Sequence, residues 1–213
     1  MSRPVITLTT DFGQTDSYVG AMKGVILGIC PEAVMVDISH EIRPQAVEQA
    51  AYVLSTAVDY YPPGTVHLVV VDPGVGSERR AIAIQTARAT YVGPDNGVIS
   101  LALNQDPARQ AVHLTEPTYR LAPVSATFHG RDIFAPAAAH LACGTALTDM
   151  GEALPVSELV EIPTHAPRPQ PGGGWRCAVL HVDRFGNLIT NFRILPHRRG
   201  IRVGAGGQWI EQI

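Results

Sequence analysis

The sequence predicts an α/β fold, with a large amino-terminal domain whose mainly parallel sheet is covered by helices and a small all-β carboxy-terminal domain. Strand-like and helix-like segments alternate from residue 4 to about residue 144, which is typical of parallel sheets. After residue 174 only strand and turn patterns follow. Between them, "IPTHAPRPQPGGG" is too rich in proline and glycine for regular structure. We therefore predict an α/β domain over 1–161, a linker over 162–174 and a partial β domain over 175–213.

Each element of the large domain has its own pattern. Runs of β-branched and apolar residues predict strands, and apolar residues at helical spacing predict helices. The predicted strands are "VITLTT", "AVMVDIS", "TVHLVVVD", "AIAIQTA", "ATYVG" and "AVHLTE". The predicted helices are "DSYVGAMKGVILGIC", "QAVEQAAYVLSTAVDYY", "GVISLALNQ" and "GRDIFAPAAAHLACG". The last helix is expected to be interrupted at Pro136, because proline removes a helical hydrogen bond.

Composition excludes several classes of protein. A net charge of −3 and the lack of a basic run predict no nucleic-acid or membrane partner. No apolar segment is long enough to cross a bilayer or direct secretion. Cys30, Cys143 and Cys177 are odd in number and widely spaced, which favours buried free thiols and a reducing compartment. These features predict a soluble, cytoplasmic protein.

Polar residues follow several of the predicted strands. Asp11 follows "VITLTT", Asp72 follows "HLVVV", "GPDNG" follows "ATYV", and "TFHGRD" introduces the last helix of the large domain. The carboxyl ends of parallel strands form one edge where ligands bind, so these residues could share a cleft. Taken singly, each aspartate could be a helix cap or turn residue, His129 a packing residue, and Arg79 or Arg80 a surface side chain. The loop "DPGVGSERR" could also cradle a phosphate, although it lacks the lysine and hydroxyl of a P-loop.

Six motifs in order carry a more specific signal. They are "TTDFGQTDSYVGAMKG", "DISHEI", "VVVDPGVGSERR", "GPDNG", "TFHGRDIFAPAAAHLA" and "VDRFGNLITN". Together they resemble the S-adenosyl-L-methionine hydroxide adenosyltransferase family, whose relatives include fluorinating and chlorinating enzymes. The resemblance implies a large α/β domain, a small β domain and a homotrimer with active sites between subunits. Relatives continue beyond "GGQWIEQI", so it also implies that the small β domain is truncated.

The resemblance implies roles for nine residues. Asp72, Arg79 and His129 match the family's water-handling triad, with Arg80 as the alternative to Arg79. Asp11 matches the carboxylate that binds the ribose diol. The residues implied to contact other parts of the substrate are Thr127 and Phe128 at the ribose and sulfonium, and Asp183, Phe185 and Asn187 from a neighbour's small domain. Asp183 is expected to meet the methionine ammonium group.

The implied reaction is attack by water or hydroxide on the ribose 5′ carbon of S-adenosyl-L-methionine, releasing adenosine and L-methionine. It implies no cofactor and no metal. The halogenating relatives carry tyrosines at the positions of Asp72 and His129 and an insertion after Arg80, and the fluorinating enzyme has serine at Gly130, so halogenation is disfavoured. A non-catalytic protein that binds S-adenosyl-L-methionine or adenosine, and a phosphate-loop protein, remain the alternatives.

Overall fold

The chain forms two compact units in a computed structural model that describes residues 3–163, 166–171, 173–192 and 202–210. The units are Met1–Pro163 and Thr164–Ile213. Parts of the predicted linker (164–165 and 172) and of the predicted β domain (193–201 and 211–213) lie outside the described residues.

A seven-stranded sheet forms the centre of the large unit. Its strands are β1 (Val5–Thr10), β2 (Val34–Ser39), β3 (Thr65–Val70), β4 (Ala81–Gln85), β5 (Ala89–Pro94), β6 (Gln110–His113) and β7 (Glu152–Leu154). They lie in the order β2-β1-β3-β5-β4-β6-β7. The four strands β2, β1, β3 and β5 are parallel, as predicted, whereas β4, β6 and β7 pair in antiparallel fashion. The short turn between β4 and β5 allows only an antiparallel pair, because a parallel pair needs a long crossover.

Helices cover both faces of this sheet. They are α1 (Tyr18–Ile29), α2 (Val47–Ala57), α3 (Ser100–Leu103) and α4 (Ala135–Ala142), with a π-helical segment (Gly130–Phe134) directly before α4. Met22 of α1 and Phe134 pack with Leu68 on one face, and Leu54 of α2 packs with Val69 on the other. The predicted interruption near Pro136 takes the form of the change from π- to α-helix, and Pro136 lies in the first turn of α4, where a proline is tolerated.

None of the three cysteines is the buried free thiol that the sequence predicts. Cys30 and Cys143 form a disulfide, with their Cα atoms 6.0 Å apart. Each is the residue that follows its helix, α1 or α4, and the two helices pack side by side. The third, Cys177, is free but exposed. Sequence spacing missed the pair because it joins residues separated by 113 positions. The cysteines therefore give no support to a reducing compartment.

The second unit consists of three hairpins over its described residues. They pair β8 (Arg168–Pro169) with β9 (Trp175–Arg176), β10 (Val179–Val182) with β11 (Leu188–Thr190), and β12 (Val203–Ala205) with β13 (Gln208–Ile210). The expectation that 162–174 is free of regular structure is wrong at β8. Across the described parts of both units, no helix is long and apolar enough to cross a membrane.

Candidate active site

The polar loops predicted from the sequence lie at one edge of the sheet. Thr10 of β1 aligns with Val70 of the parallel strand β3, so Asp11 and Asp72 follow the same ends of neighbouring strands. The "GPDNG" loop follows β5, which is the next parallel strand. The side-chain amide of Asn96 in that loop donates to the carbonyl of Val71, at 2.9 Å. Parallel α/β sheets bind ligands at the carboxyl ends of their strands, and these loops lie at that edge.

Asp72, Arg79 and His129 are connected by direct contacts. Arg79 Nε lies 3.0 and 2.9 Å from the two carboxylate oxygens of Asp72, and Arg79 Nη2 lies 2.5 Å from Oδ2. Arg79 Nη2 is also 2.7 Å from Nδ1 of His129. The side chains of Arg79 and Asp72 are only 10% and 6% exposed, so little water screens their charges.

Arg80 points to a different set of partners. Its Nε donates to Oδ2 of Asp95 at 2.8 Å, and its Nη2 donates to the backbone carbonyl of Glu158 at 2.6 Å. Arg79 and Arg80 immediately precede β4, and successive side chains of extended backbone point to opposite sides. Only Arg79 of this pair therefore contacts Asp72 and His129.

The arginine also defines the protonation state of His129. A guanidinium has no acceptor, so Nδ1 of His129 must accept the hydrogen bond from Arg79. The imidazole is then neutral and carries its proton on Nε2. Burial and the nearby charge of Arg79 lower the pKa of His129, while Asp72 opposes the shift. Both the hydrogen bond and the electrostatics favour the neutral ring.

The "DPGVGS" loop packs closely against the segment that precedes His129. Gly76 has φ +77°, and a Cβ there would lie 2.7 Å from the carbonyl oxygen of Ala126. Within the loop, the N–H groups of Val75, Ser77 and Arg79 already have acceptors. They are not free to surround a phosphate, which disfavours the phosphate-loop alternative.

Asp132 holds the segment before His129, a role that the sequence analysis missed. Its carboxylate is 1% exposed, accepts from the N–H of Ser125 at 2.8 Å and pairs with Arg131 at 2.6 and 2.9 Å. Burial opposes ionisation of Asp132, but the hydrogen bonds from Arg131 and Ser125 outweigh it, so its pKa is lowered. The adjacent "RD" pair in "TFHGRD" was the available signal.

Aromatic rings join the Asp11 loop to the His129 segment. Phe128 makes edge contacts with Phe12 and Tyr18, at centroid distances of 6.1 and 5.3 Å, and Arg131 lies over its ring at 4.9 Å. Thr127, next to Phe128, is exposed, and its N–H donates to Ser125 Oγ at 3.2 Å. Asp11 and the Thr127–Phe128 pair therefore flank one aromatic cluster.

The remaining predicted residues belong to the second unit, in the turn between β10 and β11. Asp183 Oδ1 accepts from the N–H groups of Phe185 and Asn187, both at 2.8 Å, and Oδ2 accepts from Nδ2 of Asn187 at 2.6 Å. The Asn187 side-chain bond is the main cause of the lowered pKa of Asp183. The Phe185 side chain is 89% exposed. The turn thus presents an ionised carboxylate and an aromatic ring.

Metal ligation has no candidate in the described ranges. No group of three or more histidine, cysteine, aspartate or glutamate side chains there could hold a metal ion. His67 is an example of a histidine with a structural contact: it is 1% exposed, and its Nδ1 lies 2.8 Å from the hydroxyl of Thr7.

Comparison with known proteins gives consistent matches. The family model described as the SAM hydroxide adenosyltransferase N-terminal domain matches residues 6–151. A curated relative from Salinispora tropica, named (R)-S-adenosyl-L-methionine hydrolase, is 47% identical over 94% of this chain and 77% of its own length. A fluorinase from an Actinoplanes species is 28% identical over 96% of this chain and 76% of its own. The crystal structure of an uncharacterized conserved protein from Thermotoga maritima superposes with a TM-score of 0.89 at 36% identity, covering 96% of this chain and 80% of that one.

Proposed function

The chain belongs to the SAM hydroxide adenosyltransferase family, and from this premise we propose that it hydrolyses S-adenosyl-L-methionine to adenosine and L-methionine. The observation that carries the proposal is the contact of Arg79 with both Asp72 and His129 at the ligand-binding edge of the sheet. Water or hydroxide attacks the ribose 5′ carbon in line with the carbon–sulfur bond, and methionine leaves as a neutral thioether.

The charges of this reaction suit a site with little water. Hydroxide and a sulfonium cation neutralise each other on the way to the transition state, so removing water from the nucleophile favours attack. The protein must therefore position one water and lower the cost of deprotonating it. The guanidinium of Arg79 supplies the positive field that stabilises hydroxide.

The positions of the protons on His129 and Arg79 give the three residues separate roles. With Nδ1 accepting from Arg79, the Nε2–H of His129 is a donor and orients the oxygen of the water. His129 in this tautomer cannot accept the water's proton without losing its bond to Arg79. Asp72 is then the group that takes the proton, and Arg79 holds it beside the nucleophile. No step needs a metal or cofactor.

The remaining substrate contacts of the proposal follow the sequence resemblance. Asp11 binds the ribose hydroxyls, and Thr127 and Phe128 line the ribose and sulfonium. Asp183, Phe185 and Asn187 come from the small domain of a neighbouring subunit in a homotrimer, with Asp183 paired to the methionine ammonium. The support for this last part is the ionised carboxylate of Asp183 and the exposed ring of Phe185.

Halogenation is the competing reaction, because fluorinases are among the relatives. Gly130 argues against it here. A Cβ at this position would lie 3.3 Å from Met22 Sδ and from the Phe12 ring, so a serine there would require these neighbours to shift by a few tenths of an ångström. The sequence resemblance adds that Asp72 and His129 stand where the halogenating enzymes carry tyrosines.

One incubation separates the three possible behaviours. The purified chain is mixed with S-adenosyl-L-methionine, with and without saturating chloride or fluoride, and the products are resolved by chromatography. We expect adenosine and methionine in equal amounts under all conditions. A 5′-halo-5′-deoxyadenosine as main product would indicate a halogenase, and binding without turnover would indicate a sensor; either result contradicts the proposal.

A further inference from the structure

The segment after β2, residues 40–45, supports the Asp11 loop at three points. The carbonyl of His40 accepts from the N–H of Gly13 at 2.8 Å, and the His40 ring bonds to Thr10. The N–H of Gln45 donates to Oδ2 of Asp11 at 2.7 Å. The "DISHEI" motif thus lies beside the residue proposed to bind ribose, although it has no role in the reaction described above.

The His40 ring is the buried part of this support. Its side chain is 1% exposed, and Nδ1 lies 2.8 Å from the hydroxyl of Thr10, which also accepts the N–H of Phe12 at 3.3 Å. On the other side, Nε2 lies 3.0 Å from Asp37, although the N–H is not aligned for a hydrogen bond. Asp37 is in turn paired with Lys23 at 2.7 Å.

The charged neighbours decide the tautomer of His40. The negative Asp37 carboxylate favours a proton on Nε2, so Nδ1 of a neutral ring accepts the hydroxyl proton of Thr10. The Thr10 oxygen is then directed at the N–H of Phe12, the residue after Asp11. A chain of contacts therefore runs from the exposed Asp37 through the buried ring of His40 to the backbone of the Asp11 loop.

Gln45 is held in an unfavourable backbone conformation at its contact with Asp11. Its φ of +64° is the one left-handed non-glycine value among the described residues. Such conformations persist where the surroundings enforce them, often at ligand-binding sites. The bond from Gln45 occupies Oδ2 of Asp11 and leaves Oδ1 available to a ligand.

We propose that His40 and Gln45 are positioning residues that orient the Asp11 carboxylate towards the vicinal hydroxyls of the ribose. The inference rests on the proposed function, which assigns ribose binding to Asp11. His40 acts through Thr10 and the loop backbone, and Gln45 acts directly on one carboxylate oxygen. Neither touches the substrate.

The test compares His40→Leu, which removes the ring nitrogens, with His40→Asn, which keeps a polar atom near Thr10. We expect His40→Leu to raise KM for S-adenosyl-L-methionine about tenfold, because the ribose would lose one hydrogen bond to the charged carboxylate of Asp11. The value of kcat should change little. His40→Asn should recover most of the loss. His140→Asn is the control, because His140 is a half-buried histidine of α4 that packs on Tyr119 instead.

A double-mutant cycle shows whether His40 acts through Asp11. In an Asp11→Ala background, His40→Leu should have no further effect on KM; an undiminished effect there would overturn the inference. If His40→Leu does not fold, Thr10→Val tests the same link.

Calorimetry extends the test to binding without turnover. His40→Leu should weaken binding of adenosine but not of 2′,3′-dideoxyadenosine, and equal weakening of both would contradict the inference. Wild-type turnover is measured separately, so loss of the proposed function and failure of this inference give different results.

Discussion

Replacing Arg79 with alanine tests the triad most sharply, because the neighbouring Arg80 provides a matched control. Arg79→Ala leaves the Asp72 carboxylate, 6% exposed, without its cation. Breaking a buried ion pair typically lowers the free energy of unfolding by about 3–5 kcal/mol. The variant should remain folded but less stable, and its kcat should fall by about 10²–10⁴-fold, because the positioning and deprotonation of water are lost.

Arg80→Ala removes a comparable ion pair without touching the triad. It leaves Asp95, 2% exposed, with the N–H of Val160 at 2.9 Å as a remaining donor. Stability should fall here too, but turnover per folded molecule should stay within a few-fold of the wild type. Urea unfolding and steady-state adenosine formation, measured at a temperature where all variants are folded, separate the two effects. An equal loss of turnover in both variants, or near-normal turnover in Arg79→Ala, would refute the assignment.

Further predictions concern stability and product. Burial lowers the pKa of His67 from 6.5 to about 4. As the pH falls, the unfolded chain binds this proton before the folded one does, so the free energy of unfolding should fall by about 3 kcal/mol between pH 6.5 and pH 4. In urea unfolding, His67→Gln should lack this part of the pH dependence. Reducing the Cys30–Cys143 disulfide, which spans 113 positions, should lower the free energy of unfolding by up to about 5 kcal/mol. A thiol titration that finds three free thiols without reductant would contradict the pairing. Gly130→Ser should lower turnover without producing 5′-fluoro-5′-deoxyadenosine when assayed with fluoride. Excess EDTA should leave adenosine formation unchanged, and restoration of a lost rate by added metal would show that the proposed mechanism is incomplete.

Local patterns predicted the elements that depend on local preference. "VITLTT" matches β1 at both ends, and the strand-end aspartates Asp11 and Asp72 follow neighbouring parallel strands. The antiparallel half of the sheet was not predicted, because pairing between distant segments such as β6 and β7 leaves no trace in the periodicity of either one. The disulfide was missed for the same reason.

The site divides along a similar line. The motifs identified Asp72, Arg79 and His129 as candidates, but the choice between Arg79 and Arg80 depends on which guanidinium meets Asp72, and spacing does not contain that information. Asp132 and Gln45 were not predicted because each acts through a hydrogen bond that involves a backbone N–H. Asp132 accepts from the N–H of Ser125, and the N–H of Gln45 donates to Asp11. A carboxylate that fixes a loop and one that binds a substrate look alike in sequence.

Turnover in heavy-oxygen water measures the central claim most directly. If water attacks the ribose 5′ carbon of S-adenosyl-L-methionine, mass spectrometry should find the heavy oxygen in the 5′-hydroxyl of adenosine and none in methionine. The amount of labelled adenosine should fall by about 10²–10⁴-fold when Arg79→Ala replaces the wild type for the same incubation time. Adenosine without the label, heavy oxygen in methionine, or no turnover by the wild-type chain would contradict the account.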